Sequence, residues 1–353
     1  MIKSDGSLWA TGENLSSELG YNSKGVPITT FVQVLSADVK AVSAGFYHTI
    51  LLKKNGSAWT TGSSYYFQLG DGTQTKSAKF KQVIDSGVNA VAAGSIHTVV
   101  VKQDGSLWGV GGNKYGQLGD GSKTDATKFK ILIGSGVKAV AAGPYITVVV
   151  KQDGSLWGTG ENNFGQLGDG SKTSSTVFKQ VIGGGVKAVA TGGYHTMVVK
   201  QDGSLWGTGG NIWGQLGDGS KSASTKFKQV ISGDVHALAV GSDHSMIVKE
   251  DGSLWVTGKN DKGQLGYDME NMKNFVKLVP SGAKDVVAGN VHSMVLRTDG
   301  SVWTTGANSK GQLGDGTKND RKSLTKVITI GERDWQWYHD SDLRITMCPK
   351  FRA

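Results

Sequence analysis

Short apolar runs alternate with polar turns along the whole chain. A representative stretch opens with Val137-Lys138-Ala139-Val140-Ala141-Ala142-Gly143, continues into the β-branched run Thr147-Val148-Val149-Val150, and turns at Asp153-Gly154. Asp-Gly between two apolar runs signals a hairpin, because both central residues of a type I′ turn need positive φ. Ser155-Leu156-Trp157-Gly158-Thr159-Gly160 comes next, then a polar loop over 161–176, then Val177-Phe178-Lys179-Gln180-Val181-Ile182. This text predicts four short antiparallel strands. No segment carries the 3.6-residue period of an amphipathic helix.

The same text recurs. Asp104-Gly105-Ser106-Leu107-Trp108 returns at 153–157, 202–206 and 251–255, with looser copies at 5–9, 55–59 and 299–303. The tryptophans stand at positions 9, 59, 108, 157, 206, 255 and 303, so seven units follow one another with no large insertion between them. Four antiparallel strands in a unit of that length describe a propeller blade. The sequence therefore predicts an all-β fold, a single seven-bladed β-propeller over 1–353 built from four-stranded antiparallel blades. Small residues mark the first strand of each unit as the innermost, where strands crowd near the axis. The tryptophan of the third strand and Phe80, Phe129, Phe178 and Phe227 of the fourth suit the wider gaps farther out. Their burial is worth on the order of 2 kcal/mol each.

Ring closure is expected from strand exchange. The chain begins in the third-strand motif of one blade, so its last residues should supply the first two strands of that blade and leave no sheet edge exposed. The divergent closing segment, 332–353, has the length for this. However, Asp334-Trp335-Gln336-Trp337 replaces the small-residue strand, and its register stays open.

Composition adds little. The 53 glycines against 4 prolines fit many tight turns, and no 18-residue apolar run suggests a membrane span. Met1 to Gly6 shows no hydrophobic leader, and Cys348 is the single cysteine. The expectation is a cytoplasmic monomer without membrane association. The net charge of +9 favours acidic partners only weakly, since the lysines are spread along the chain.

The constellation Gly-x-x-His-Thr, Asp-Gly-Ser-Leu-Trp and Gly-x-Asn-x-x-Gly-Gln-Leu-Gly-Asp-Gly closely resembles the regulator-of-chromosome-condensation repeat, over essentially residues 1 to 330. The resemblance implies a seven-bladed propeller with strand exchange at the closing blade. It leaves function open. Members of that family serve as exchange factors for the Ran GTPase, chromatin-bound proteins, a plant ultraviolet photoreceptor, ubiquitin-ligase modules and β-lactamase inhibitors. The Ran exchange factor carries a wedge-like insertion, for which the even spacing here leaves no room. The photoreceptor depends on tryptophans beside Gly-x-x-His, where this chain has Phe46-Tyr47, Ser95-Ile96, Pro144-Tyr145, Gly193-Tyr194, Ser242-Asp243 and Asn290-Val291.

Candidate chemistry is sparse. His48, His97, His195, His244 and His292 recur once per unit, with Ile146 in the same place of another. Metal ligands must converge, which one histidine per blade cannot do in a wide ring, so these histidines should hydrogen-bond backbone between strands. Asp71, Asp120, Asp169, Asp218 and Asp315 offer one carboxylate per loop. That is too few for calcium and suits a turn. Lys81, Lys130, Lys179 and Lys228 should decorate the outer rim and blunt the sheet edge. No catalytic motif or phosphate loop appears, so the chain is read as no enzyme, with no cofactor and no metal.

Positions that break the repeat carry more information. Two residues before the Gln of Gln-Leu-Gly, successive units place Tyr66, Tyr115, Phe164 and Trp213, then Lys262 and Lys310. Equivalent loops share one propeller face, so these residues should form an arc of aromatic anchors flanked by cations. The competing reading packs each ring on its own loop. The expected function is a protein-interaction platform binding an unidentified protein on one face. A guanine-nucleotide exchange factor for a Ran-like small GTPase is the alternative, and chromatin or nucleic-acid binding the next.

Overall fold

The computed structural model describes residues 1–21 and 25–328, together with the backbone at 335–336 and 345–346. Seven β-sheets follow one another around a ring, and no helix occurs among the described residues. In the blade at the middle of the chain, strands Val137–Ala142, Ile146–Lys151, Leu156–Gly160 and Ser175–Ile182 pair in that order from the inside outwards. Every pairing within it is antiparallel, with Val140 opposite Val149, Val149 opposite Trp157, and Trp157 opposite Gln180. Bulges interrupt the ladders at Val137/Ala139, Leu156/Trp157 and Gly158/Gly160, and equivalent irregularities recur in the other blades. Such bulges bend and twist a strand, which keeps the outer edge from being flat.

The core lies between blades. Side chains alternate along each strand, so one set faces the preceding blade and the other the following blade. Val137, Val140, Ala142 and Val149 pack with Val99, Val101 and Leu107 of the blade before. Ala139, Ala141, Val148 and Val150 pack with Val186, Val189 and Val198 of the blade after. The second strand is buried on both faces, which is why it reads as an unbroken apolar run.

Farther out, Phe178 meets Gly119 of the preceding blade, at a spot where any Cβ would overlap the ring. Phe80, Phe129 and Phe227 repeat that contact at Gly20, Gly70 and Gly168. The tryptophans are half-buried rather than enclosed. Trp108 donates its indole N–H to Ser106 Oγ (2.9 Å) and lies beneath Lys102 Nζ, 4.1 Å from the ring centre. Ser106 in turn donates its backbone N–H and hydroxyl to Asp104. The recurring Asp-x-Ser-x-Trp spacing is thus a hydrogen-bonded hairpin.

The seventh and first blades meet as other neighbours do. Thr11 Oγ1 bonds to Ile28 O and Gly311 O, both at 2.8 Å, as Thr159 Oγ1 bonds to Ser175 O and Gly116 O. Trp9 packs against Leu296 and Val302. The first blade departs from expectation in its second strand, since Ile2–Lys3 already pairs with the strand Leu8–Gly12. Trp335–Gln336 lies antiparallel beside Ile2–Lys3, in the inner place. Ile345–Thr346 instead runs parallel to the inner strand Val186–Thr191 of a distant blade, not alongside the first. The rest of the expected closing segment lies outside the described residues. Among those described, no helix is long and apolar enough to cross a membrane.

Candidate protein-binding face

On one face of the disc, five of the inner strands turn into the second through Gly-x-x-His, at 45–48, 94–97, 192–195, 241–244 and 289–292. The glycine leaves the space that the imidazole of its own motif fills, as at Gly94 and His97. Nε2 of His48, His97, His195 and His244 lies 2.8–2.9 Å from the hydroxyl of Thr98, Thr147, Ser245 and Ser293 in the next blade. Each of those hydroxyls donates onward to a loop carbonyl, Gln68 O in the case of Thr98 (2.7 Å). A hydroxyl has one proton to give, so the imidazole must be the donor and carries its hydrogen on Nε2. Burial holds all four histidines neutral, with pKa values pushed down to about 3; the neighbouring His48 adds a smaller effect at His97, as His244 does at His195 and His292 at His244. The histidines join blades, and among the described residues no three His, Cys, Asp or Glu side chains gather as a metal site would require.

Ile146 takes the histidine's place in one blade. Beside it, Thr191 supplies bulk where alanine stands at Ala44, Ala93 and Ala142, and Thr191 Cβ borders the space over Gly143. The replacement is therefore compensated in packing. Its cost is a buried Thr191 hydroxyl without a partner.

The loops after the third strand are built by three amide and carboxylate clamps. In the loop at 113–122, Asn113 Oδ1 accepts from Leu118 N and its Nδ2 donates to Asp120. Asp120 also accepts from Ser122 N and Oγ and pairs with Lys130. These contacts depress the Asp120 pKa to about 2 against the opposing effect of burial. Lys81 and Lys179 fold back in the same way onto Asp71 and Asp169, at 3.2 and 3.0 Å. They are braces of their own loops as well as rim residues. The third clamp is Gln117 Oε1, which accepts from the backbone N–H of Tyr115. The same bond fixes Tyr66, Phe164, Trp213, Lys262 and Lys310.

Three of the aromatic side chains, Tyr115, Phe164 and Trp213, meet a side chain of the neighbouring blade, whereas Tyr66 meets its own loop. Tyr115 lies against Tyr145 with ring centres 4.8 Å apart, and Phe164 against Tyr194 at 4.7 Å, edge to face. Lys259 Nζ sits 4.9 Å over Trp213. Tyr66 packs on Tyr65, which is 68% exposed, and Phe164 is 40% exposed. Lys262 and Lys310 stand on the same loops but point their charge at Asp320 (3.8 Å) and Glu13 (3.4 Å). Tyr145, Tyr194, Asp243 and Glu161 complete this surface and were not among the predicted positions. For Tyr145, Tyr194 and Asp243 a signal was present, since the residue before each histidine, or before Ile146, also changes from unit to unit. Burial raises the carboxyl pKa of Glu161 and Asp243 and the hydroxyl pKa of Tyr145 and Tyr194.

Comparison with known proteins follows this geometry closely. A family model described as the regulator of chromosome condensation (RCC1) repeat matches residues 39–68, 88–117, 137–166, 186–215, 235–264 and 283–312, each span running from an inner strand to the clamp glutamine or its equivalent. A second model of the same description matches 104–150 and 153–199. The Protein RCC2 homolog of Danio rerio is 34% identical over 77 residues, covering 21% of this chain and only 16% of that protein. Among solved structures, human WBSCR16 superposes with a TM-score of 0.82 at 21% identity, over 92% of this chain and 95% of its own. Prp20p from Saccharomyces cerevisiae, studied for its binding to Gsp1p and histones, gives 0.83 at 19% identity over 93% and 88%. At such identities the likeness is one of fold.

Proposed function

Because the chain belongs to the regulator of chromosome condensation (RCC1) repeat family, whose fold serves several ends, we propose that it is a non-catalytic platform that binds a partner protein across its loop face. One observation carries this reading: four consecutive blades hold an aromatic side chain in the same clamped loop position, while the layer beneath repeats almost unchanged. A loop whose backbone is already clamped loses little freedom on binding, which suits anchors of an interface. Replacing Tyr115 and Trp213 together by alanine should leave the thermal midpoint close to that of the parent. It should weaken partner capture by more than about tenfold, the scale of a lost hot spot. Unfolding of that variant would favour a packing role for the rings.

The fold likeness to Prp20p supports a second reading, regulation of a small GTPase. Against it stand the loops of the described blades, none of which carries a large insertion. Release of labelled GDP from a Ran-like GTPase, with and without the chain, decides between the two. Chromatin or nucleic-acid binding would instead show affinity that falls steeply with salt.

A further inference from the structure

The hairpins that join second to third strands carry aspartate before glycine at Asp5, Asp104, Asp153, Asp202, Asp251 and Asp299, but asparagine at Asn55 in the second blade. Asn55 makes the bonds of its aspartate counterparts. Its Oδ1 accepts from Ser57 N at 3.0 Å and Ser57 Oγ at 2.7 Å, as Asp104 Oδ1 accepts from Ser106 at 2.9 and 2.6 Å. Ser57 is itself fixed, since its hydroxyl accepts from Trp59 Nε1 at 2.9 Å.

The side-chain carbon differs in reactivity. At the aspartates, the serine hydroxyl and then its backbone N–H hold the carboxyl below its usual range. An ionised carboxylate resists a nucleophile. The Asn55 amide is uncharged, and two donors on its oxygen stabilise the negative charge that attack at Cγ would create. The next nitrogen along the chain belongs to Gly56, which has no side chain to hinder approach and holds a φ of +81°. No other asparagine of the chain precedes glycine. Asn113, Asn162, Asn211 and Asn308 are buried, with both amide atoms bonded inside their loops, whereas Asn55 is exposed to water.

We propose that Asn55 is a self-modification site, at which the folded hairpin converts the asparagine to aspartate and isoaspartate. Gly56 N loses its proton to solvent base and attacks Asn55 Cγ. The new C–N bond closes a succinimide, the Cγ–Nδ2 bond breaks, and Nδ2 takes up a proton and leaves as ammonia. Water then opens the ring. Cleavage between Cγ and Gly56 N gives aspartate, and cleavage between the Asn55 carbonyl carbon and Gly56 N gives isoaspartate. One water enters, one ammonia leaves, and nothing is oxidised or reduced. Gly56 N must first release Lys53 O, its acceptor at 3.0 Å, so the opening of this turn limits the rate.

The two products have opposite consequences for the ring. Aspartate restores the residue of the other hairpins. Isoaspartate routes the main chain through the side-chain carbon and lengthens it just before Gly56. There Gly56 O accepts from Val88 N of the third blade at 3.0 Å, and Gly87 N lies 3.1 Å from the place of a Cβ on Gly56. Isoaspartate therefore strains a junction between blades. The hairpin closes the end of His48–Lys53 remote from the loop face, so both products leave the platform untouched.

The test is timed incubation of the folded full chain at mildly alkaline pH, followed by peptide mapping. Cleavage after Lys54 and Lys76 isolates residues 55–76, whose single asparagine is Asn55. A mass gain from amide to acid there reports the reaction, and labelling by an isoaspartyl methyltransferase reports the second product. Conversion should run within about tenfold of its rate in the urea-unfolded chain. Ser57→Ala should slow it by about threefold or more, the scale of one net hydrogen bond. Asn55→Asp is the blank. Conversion slower in the folded chain by more than about tenfold overturns the proposal. So does a Ser57→Ala protein that converts as fast as the parent or faster, which would make the serine a guard of the turn. A mass gain that persists in Asn55→Asp comes from Gln68 or Gln74 and equally overturns it. The comparison in and out of urea uses the unaltered sequence, so it decides even where Ser57→Ala folds poorly.

Discussion

One step along the chain separates two very different layers. His97, His195 and His244 point between blades and make the same bond each time, whereas the residues just before them, Ile96, Tyr194 and Asp243, face the loop surface and share nothing. Strand alternation sends adjacent side chains to opposite environments. Where the link is made, the buried layer is held constant by the cost of an unpaired group. The layer above it touches solvent and is free to vary, so variation there reports on binding and repetition below reports on the ring.

Acid should break the buried layer with the largest effect. The histidines bind protons more tightly in the unfolded chain (near pH 6.5) than in the folded one (about 3), so stability is complete above that upper value and falls as pH drops through the interval. All four act in the same direction, so their losses add as the pH falls. Thermal melts at pH 7.5 and pH 5 should therefore differ strongly, before the already depressed aspartates begin to titrate. A midpoint that does not move would remove this account.

Thr98→Val comes next. It leaves His48 Nε2–H and Gln68 O unpaired, at a cost of about 2–4 kcal/mol in denaturant unfolding. Thr196→Val should cost about half as much, because Ile146 asks nothing of Thr196 and only Gln166 O is left unanswered. Equal losses would mean the histidine bond contributes nothing. Ser106→Ala, which frees the Trp108 N–H, should cost about 1 kcal/mol. Lys81→Ala, at a half-exposed pair, should stay within about 0.5 kcal/mol. None of these four changes should alter partner capture by the loop face, which is where the comparison between layers is sharpest.

The blade was legible because its signals are local. Asp-Gly turns, β-branched runs and a recurring tryptophan specify strands without reference to neighbours. A hydrogen-bonding role for the histidines was legible from their recurrence, but the expected backbone partner was wrong: the receiving groups are hydroxyls of the next blade, although a hydroxyl residue follows every one of these positions, Thr49, Thr98, Thr147, Thr196, Ser245 and Ser293. The loop positions Tyr66, Tyr115, Phe164 and Trp213 were found by asking what fails to repeat. Their partners escaped because Tyr115 meets Tyr145 only through the angle at which two blades pack, and no sequence period encodes that angle. The N-terminal Ile2–Lys3 strand was missed because two residues carry no pattern.

Every link of the histidine layer points the same way, from the imidazole of one blade to the hydroxyl of the next. Such a contact is heterologous: each unit offers a donor on one flank and an acceptor on the other. An array cut open at any of these four junctions would expose an unmet donor at one end and an unmet acceptor at the other. Two fragments severed at such a junction would carry flanks that fit each other, so the polarity of a single hydrogen bond gives the broken disc a means of reassembly.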